Sequence, residues 1–121
     1  MHRVFFEAII KNSVTAAALY QKAFDAELVA EHKNEDGSYA HAELSINGHI
    51  LALMELRDEI VIGNTMMFAL EFGTGNEDCV QKAYEILKDD ATIIDALGPC
   101  PYSQLQFVLI DKFGVRWCLF A

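Results

Sequence analysis

Apolar and polar positions divide the chain into two successive runs of the same order, strand, helix and three strands. Val4 to Ile10 is apolar and β-favouring, interrupted only by Glu7, and reads as a strand. Asn12-Ser13 then offers an N-cap. Val14, Ala17, Ala18, Tyr20 (or Leu19) and Phe24 follow at helical spacing, predicting a helix of about three turns. Leu28 to His32 is a second strand, and Asn34-Glu35-Asp36-Gly37 is a turn cluster. Tyr39 to Ile46 alternates, and His49 to Leu56 returns as a fourth strand. The second run places strands at Met66 to Phe72, Thr92 to Ala96, Tyr102 to Ile110 and Val115 to Phe120. Its helix carries Val80, Ala83, Tyr84 and Leu87 on the apolar face, with Asn76 as N-cap and Glu77 and Asp78 in the first turn, where they favour the helix dipole. Leu97-Gly98-Pro99-Cys100-Pro101 is read as unable to extend a sheet centre, because its two prolines lack a ladder N–H.

Asn47-Gly48 is the strongest hairpin signal, since a type I′ turn needs positive φ at both central positions. A two-residue turn there pairs Ile46 with His49, Leu44 with Leu51, Ala42 with Leu53 and Ala40 with Glu55. These residues share one largely apolar face, expected under the helix. The opposite face takes Tyr39, His41, Glu43, Ala52 and Met54, and Glu55 is expected at the strand end in solvent.

The predicted fold is α+β, two tandem βαβββ modules at roughly residues 1–57 and 65–121 of a single 121-residue domain. A short linker, Arg57 to Thr65, contains Gly63-Asn64. Hydrophobic residues make up 53% of the chain, enough to fill a core in each module. Nine Lys and Arg against 18 Asp and Glu give a net charge of −9, which repels phosphate backbones and argues against nucleic acid. No apolar run reaches membrane-spanning length, and Met1-His2-Arg3-Val4 shows no signal-peptide layout. Cys79, Cys100 and Cys118 are odd in number and widely spaced, so neither a metal knuckle nor a disulfide framework is expected. The simplest expectation is a reduced, cytoplasmic protein with no membrane partner.

Three segments carry a family resemblance: Ala18-Leu19-Tyr20-Gln21-Lys22-Ala23-Phe24, His41-Ala42-Glu43-Leu44-Ser45-Ile46-Asn47-Gly48, and Asp111-Lys112-Phe113-Gly114-Val115-Arg116-Trp117. In this order and spacing they resemble the vicinal-oxygen-chelate superfamily, the glyoxalase/bleomycin-resistance/dioxygenase proteins, and within it the PhnB-like branch. Departures are Lys112 where proline is usual, Val115 where histidine is frequent, and Asp25 where glycine is frequent. The resemblance implies cupped mixed sheets with helices on the outer face, around a small-molecule cleft, in a homodimer. It also implies a divalent metal held by His and Glu side chains from four strands. The implied ligand positions fall on Phe5, near Met67, on Cys118, and on Met54 or Glu55. Hard divalent ions want carboxylate oxygen or imidazole nitrogen, so phenyl and thioether groups argue against a metal, and no cofactor is expected.

Other residues carry chemistry of their own. His41 and Glu43, at i and i+2 on one strand face, suit a metal or an acid–base pair, or are two half-exposed polar residues with the histidine hydrogen-bonded. Glu7 and Glu71 each interrupt an apolar strand, at places read as equivalent in the two modules. A buried carboxylate needs a partner, and Arg116 is the natural candidate, either in a structural ion pair or on a charged cleft wall. Cys100 and Cys118 lack a histidine in a suitable context, so an idle loop cysteine and a buried apolar one are the readings favoured over nucleophiles. Trp117 is expected between sheet and helix.

The expected activity is metal-independent binding of a small, partly apolar molecule. Phe5, Met54 and Met67 would give apolar contact, and Gln104, Gln106 and Arg116 polar anchors, with Glu7, His41, Glu43, Glu71 and Cys118 also lining the site. The alternative is a glyoxalase-like lyase or isomerase using a metal in a displaced site around His41, Glu43, Glu7 or Glu71. A third reading is a dimeric interaction module without a ligand.

Overall fold

A computed structural model describes residues 1–59, 63 and 65–121. It divides into two compact units, Met1–Glu59 and Ile60–Ala121. The first unit runs β1 (Phe6–Ile10), α1 (Ser13–Phe24), β2 (Glu27–Lys33), β3 (Tyr39–Ile46) and β4 (His49–Glu55). Its sheet has the order β1-β4-β3-β2, with β1 parallel to β4 and the other pairs antiparallel. The second unit runs β5 (Phe68–Glu71), α2 (Glu77–Leu87), β6 (Thr92–Cys100), β7 (Ser103–Ile110) and β8 (Arg116–Phe120). Its sheet order, β5-β8-β7-β6, and its strand directions repeat those of the first. The two βαβββ modules are therefore a repeat in topology. Part of the predicted linker, residues 60–62 and Asn64, lies outside the described residues.

In the first unit α1 packs on β3 and β4. The register pairs Ala42 with Leu53, Leu44 with Leu51 and Ile46 with His49, as the Asn47-Gly48 turn requires. Both turn residues have positive φ, 49° and 84°. Leu44 and Leu53 are fully buried, as are Ala16 and Tyr20 of α1. Truncating one such leucine to alanine typically costs about 2–5 kcal/mol. The helix face differs from the expected one. Val14 and Ala18 are exposed, whereas Ser13, Ala16 and Ala23 are buried.

The start of α1 is not capped by Asn12, which sits in the left-handed region at φ 62° and makes no side-chain cap. Glu55 takes that role. Its carboxylate accepts from the Asn12 and Ser13 backbone N–H groups, both at 3.0 Å, and from Ser13 Oγ at 2.7 Å. An anion at a helix N-terminus satisfies orphan donors and meets the positive end of the dipole, so Glu55 is a structural residue and not a solvated strand end. Ser13 Oγ in turn accepts from the Tyr39 N–H. The β2–β3 ladder slips between His32 and Lys33, so Tyr39 is buried and Ala40 exposed, the reverse of the simple alternation.

In the second unit α2 packs on β7 and β8. Val80, Ala83 and Leu87 are buried, and Tyr84 meets Phe107 edge-on at 5.1 Å. Asn76 does not cap α2; its side-chain amide donates to the Phe72 carbonyl. β6 is longer than expected and includes Gly98, Pro99 and Cys100. It is the edge strand and its register shifts repeatedly, which is where a ladder tolerates proline. Cys100 is thus a strand residue rather than a loop one.

The Asp111-to-Trp117 segment closes this unit. Asp111 is 4% exposed, and its Oδ1 accepts from the Phe113 and Val115 N–H groups at 2.9 and 3.0 Å. Its Oδ2 accepts from Trp117 Nε1 at 2.8 Å. Gly114 supplies φ +88° at the reversal. One carboxylate thereby fixes the turn and the orientation of the buried Trp117, which packs against the Phe68 ring at 5.3 Å.

Candidate functional site

Each sheet has a face turned away from its helix, and strand parity assigns the residues of that face. In the first unit Glu7 pairs with Ala52 and Ala52 with Glu43, so these three lie side by side across β1, β4 and β3. Met54, paired with Ile9, follows two residues on, and His41 precedes Glu43 by two. Phe5 precedes Glu7 by two. Five of the residues read from sequence, Phe5, Glu7, His41, Glu43 and Met54, therefore belong to one face, and Glu55 belongs to the other.

The first face is built around a carboxylate. Glu43 is 8% exposed, too buried for the half-exposed residue expected. It is held bidentately by Arg3, with Nη2 2.5 Å from Oε1 and Nη1 3.1 Å from Oε2. His41 bridges two carboxylates: Nδ1 lies 3.0 Å from Glu7 Oε1 and Nε2 3.1 Å from Glu43 Oε1. The bridge is possible because Ala52, between the two glutamates, carries only a methyl group and leaves the space above it open. Phe5 completes the cluster, its ring 4.5 Å below the Arg3 guanidinium and edge-on to His41 at 6.0 Å.

The electrostatics follow from these contacts. Hydrogen bonds from Arg3 and then His41 hold the Glu43 carboxyl down at about 2. The His41 pKa is raised, first by its bond to Glu43, against desolvation and with further help from Glu7. An imidazole facing a carboxylate at both nitrogens donates to both only when protonated. The protonated cluster is balanced, two cations against two carboxylates. Such a histidine is a poor general base, because its proton is stabilised and neither ring nitrogen is free. Glu7 is thus paired with His41.

The open face of the second unit is different in kind. Cys118 pairs with Ala69 and Val108, while Phe120 pairs with Glu71 and Gln106. By the same parity Gln104, Arg116 and Met67, just before β5, belong to that face. Met67 is 43% exposed and Glu71 is exposed, while Cys118 and Gln106 are 4% and 5% exposed. Burial pushes the Cys118 thiol up, away from the nucleophilic thiolate. Arg116 does not meet Glu71. Glu71 is at the last rung of the β5–β8 ladder, opposite Phe120, whereas Arg116 precedes the first rung, Phe68 with Trp117. The strands that carry Glu7 and Glu71, β1 and β5, hold equivalent places in the two sheets, with Glu7 at the second of five rungs and Glu71 at the last of four.

The chain was compared with known proteins. The Glyoxalase/Bleomycin resistance protein/Dioxygenase superfamily profile matches residues 5–119. The chain belongs to that superfamily. An uncharacterized protein of Mycobacterium tuberculosis is 28% identical over 117 residues, covering 92% of this chain and 69% of the relative. A PhnB protein from Bacillus cereus shares the superfamily fold, with TM-score 0.82 at 21% identity over 98% of each chain. So does the fosfomycin resistance protein FosX of Listeria monocytogenes, whose structure holds Mn(II) and a dihydroxypropylphosphonic acid. Its TM-score is 0.73 at 17% identity over 100% of this chain and 93% of FosX.

Against a superfamily metal, the donor chemistry of this chain does not fit. The positions implied by resemblance carry a phenyl ring at Phe5, thioethers at Met54 and Met67, and a protonated, buried thiol at Cys118. Glu55, the alternative to Met54, is committed to the α1 N-terminus. His41 and Glu43 offer suitable atoms, but both nitrogens of one and both oxygens of the other already have partners. A cation there would displace Arg3 and deprotonate His41.

Sequence reasoning missed Arg3 and Tyr102. Arg3 continues the alternation Arg3, Phe5, Glu7, a signal present in the sequence but passed over as a lead-in to the strand. Tyr102 was read as the first residue of a strand; it lies in the β6–β7 turn.

Proposed function

We propose that this superfamily member is a metal-independent binding protein for a small, partly apolar molecule. The observation that carries this reading is the composition of the open sheet faces. They offer methionine, aromatic, amide and thiol groups, and, among the described residues, the donor atoms of His41 and Glu43 are already taken by each other, by Arg3 and by Glu7. On the first unit's open face Phe5 and Met54 would give apolar contact; on the second's, Met67 would give apolar contact and Gln104, Gln106 and Arg116 polar contact. Elemental analysis of protein purified without chelator tests it, with less than about 0.1 metal per chain expected after incubation with Mn(II), Ni(II) or Zn(II) and gel filtration. A stoichiometric ion lost in His41→Ala or Glu43→Gln overturns the reading.

The alternative is a metal-dependent lyase or isomerase, and one observation favours it: Glu7, His41 and Glu43 converge within hydrogen-bond distance on one face. The same metal assay decides between the two. Self-association is part of the proposal, because Phe6, Ile9, Val29, Ile93 and Ile94 are each at least 40% exposed. Light scattering at micromolar concentration is expected to give a dimer mass, and a monomer refutes it.

A further inference from the structure

One side chain of the second unit is out of order for a folded protein. Gln106 is 5% exposed, and its Oε1 is buried with no hydrogen-bond partner. A buried amide oxygen without a donor costs stability that a folded chain rarely gives up without return. Gln106 lies mid-way along β7 on the open face, flanked by Phe120 on β8 and by Gly98 on β6. Gly98 has no side chain, and an added Cβ there would meet nothing closer than the Ala96 carbonyl at 3.9 Å. There is room beside the amide on the β6 side.

Tyr102, from the β6–β7 turn, reaches residues on both flanking strands. Its ring meets Phe120 edge-on at 5.3 Å, its hydroxyl is 4.0 Å from Cys118 Sγ, and Cys100 also interacts with it. These contacts place Tyr102 beside β8 and β6, the two strands that flank Gln106. Yet Tyr102 is itself 64% exposed, and a thiol at 4.0 Å is a weak partner. The ring is loosely held beside a group that lacks a donor.

We propose that Tyr102 is a movable cover over a reading position: it swings aside and the Gln106 amide oxygen accepts a hydrogen bond from a hydroxyl or amide N–H of a neutral, ring-sized molecule. This rests on the small-molecule-binding reading and narrows it. Phe120 supplies an aromatic wall, Gly98 the space, and Cys118 an apolar floor. Anionic groups are disfavoured at this position, because among the described residues of this unit the cation on the same face is distant. Arg116, on the same face, pairs with Ile110 four residues from the Phe120 rung. The selectivity arises from the orphaned acceptor. A ligand that satisfies it regains a hydrogen bond the apo protein lacks, whereas a methylated analogue leaves it unmet.

The test uses matched probes on the full chain: phenol against anisole, benzamide against N,N-dimethylbenzamide, and phenylphosphonate as the anion. Binding is followed by NMR titration, reading the Gln106 side-chain amide and the Tyr102 ring. The expected result is that phenol and benzamide bind at least about fivefold more tightly than their methylated partners. Gln106→Leu should abolish that preference while retaining binding, and Tyr102→Ala should strengthen binding of the donors. Phenylphosphonate should leave the Gln106 signal unmoved. Equal affinity within each pair, a preference for the methylated member, or a preference that survives Gln106→Leu overturns the inference. Probe binding that shifts only other residues, such as His41 or Met54, overturns it and leaves the small-molecule reading standing. No binding of any probe to the wild type or Tyr102→Ala overturns both.

Discussion

Glu43→Gln probes the charge cluster of the first unit with the smallest change of shape. The Glu43 carboxyl is held at about 2 against an ordinary 4.5, a gap that converts to at most about 3 kcal/mol of folding stability. Arg3, its main partner, is 46% exposed along its side chain, so solvent screens part of that interaction, and glutamine keeps a hydrogen-bond acceptor. We expect a loss of about 1–2 kcal/mol near neutral pH. The sign of the pH dependence follows from the two shifts. A depressed carboxyl contributes stability that is present above its unfolded value of 4.5 and lost as pH falls towards 2. The raised His41 contributes stability that is fully present below 6.5 and lost as pH rises through its folded value. Glu43→Gln removes the first and weakens the second. The difference between wild type and variant should therefore be largest between about pH 5 and 6.5, should shrink as pH rises through the raised His41 value, and should close as pH approaches about 2. Urea melts across this range measure it, and NMR titration of the His41 ring should show its pKa fall in the variant. A difference independent of pH, with His41 titrating as in the wild type, would refute the cluster.

Asp111→Ala leaves the Phe113 and Val115 N–H groups and the buried Trp117 indole without their acceptor, and a loss of about 3 kcal/mol or more is expected in denaturant melts, with a change in tryptophan fluorescence. A loss below about 1 kcal/mol would show that water replaces the carboxylate. Arg116→Met should change stability by no more than about 1 kcal/mol, because no ion pair holds Arg116 among the described residues and Glu71 sits at the other end of the ladder; a loss of about 3–5 kcal/mol would reveal a buried partner.

Periodicity and turn chemistry made the architecture legible. The Asn47-Gly48 turn alone fixed the β3–β4 register and with it the faces of Met54 and Glu55. Gly114 likewise marked its reversal, whereas the edge strand β6 ran on through Pro99 to Cys100, past its expected end at Ala96. What stayed hidden depends on contacts between distant segments. The reversal of Tyr39 and Ala40 follows from a slip between β2 and β3, which neither strand states by itself. Glu55 caps a helix that begins 42 residues earlier, a pairing set by the parallel β1–β4 ladder. The partner of Glu43 is 40 residues away, before the first strand. Arg116 looked like the natural counter-ion for Glu7 because charge counting ignores His41, whose position two residues before Glu43 lets it reach across Ala52.

The duplicated backbone carries divergent chemistry. Across the middle of the first sheet the open-face row reads Glu7, Ala52, Glu43, two carboxylates around a gap that His41 fills. In the second, a row through the same three kinds of strand reads Ala69, Cys118, Val108, with the amide of Gln106 one step along. Folding stability does not require this difference, because each helix-facing side is a buried apolar layer, mostly aliphatic in the first unit and built around Trp117 and Phe107 in the second. The two open faces differ in what they leave unsatisfied. On the first, the charges are largely paired with one another, Glu43 with Arg3 and His41 and Glu7 with His41. On the second, among the described residues, the Gln106 amide keeps a buried acceptor without a donor. A polar ligand gains more from an unmet group than from a saturated one, so discrimination among ligands is expected on the second face and stability with pH sensitivity on the first.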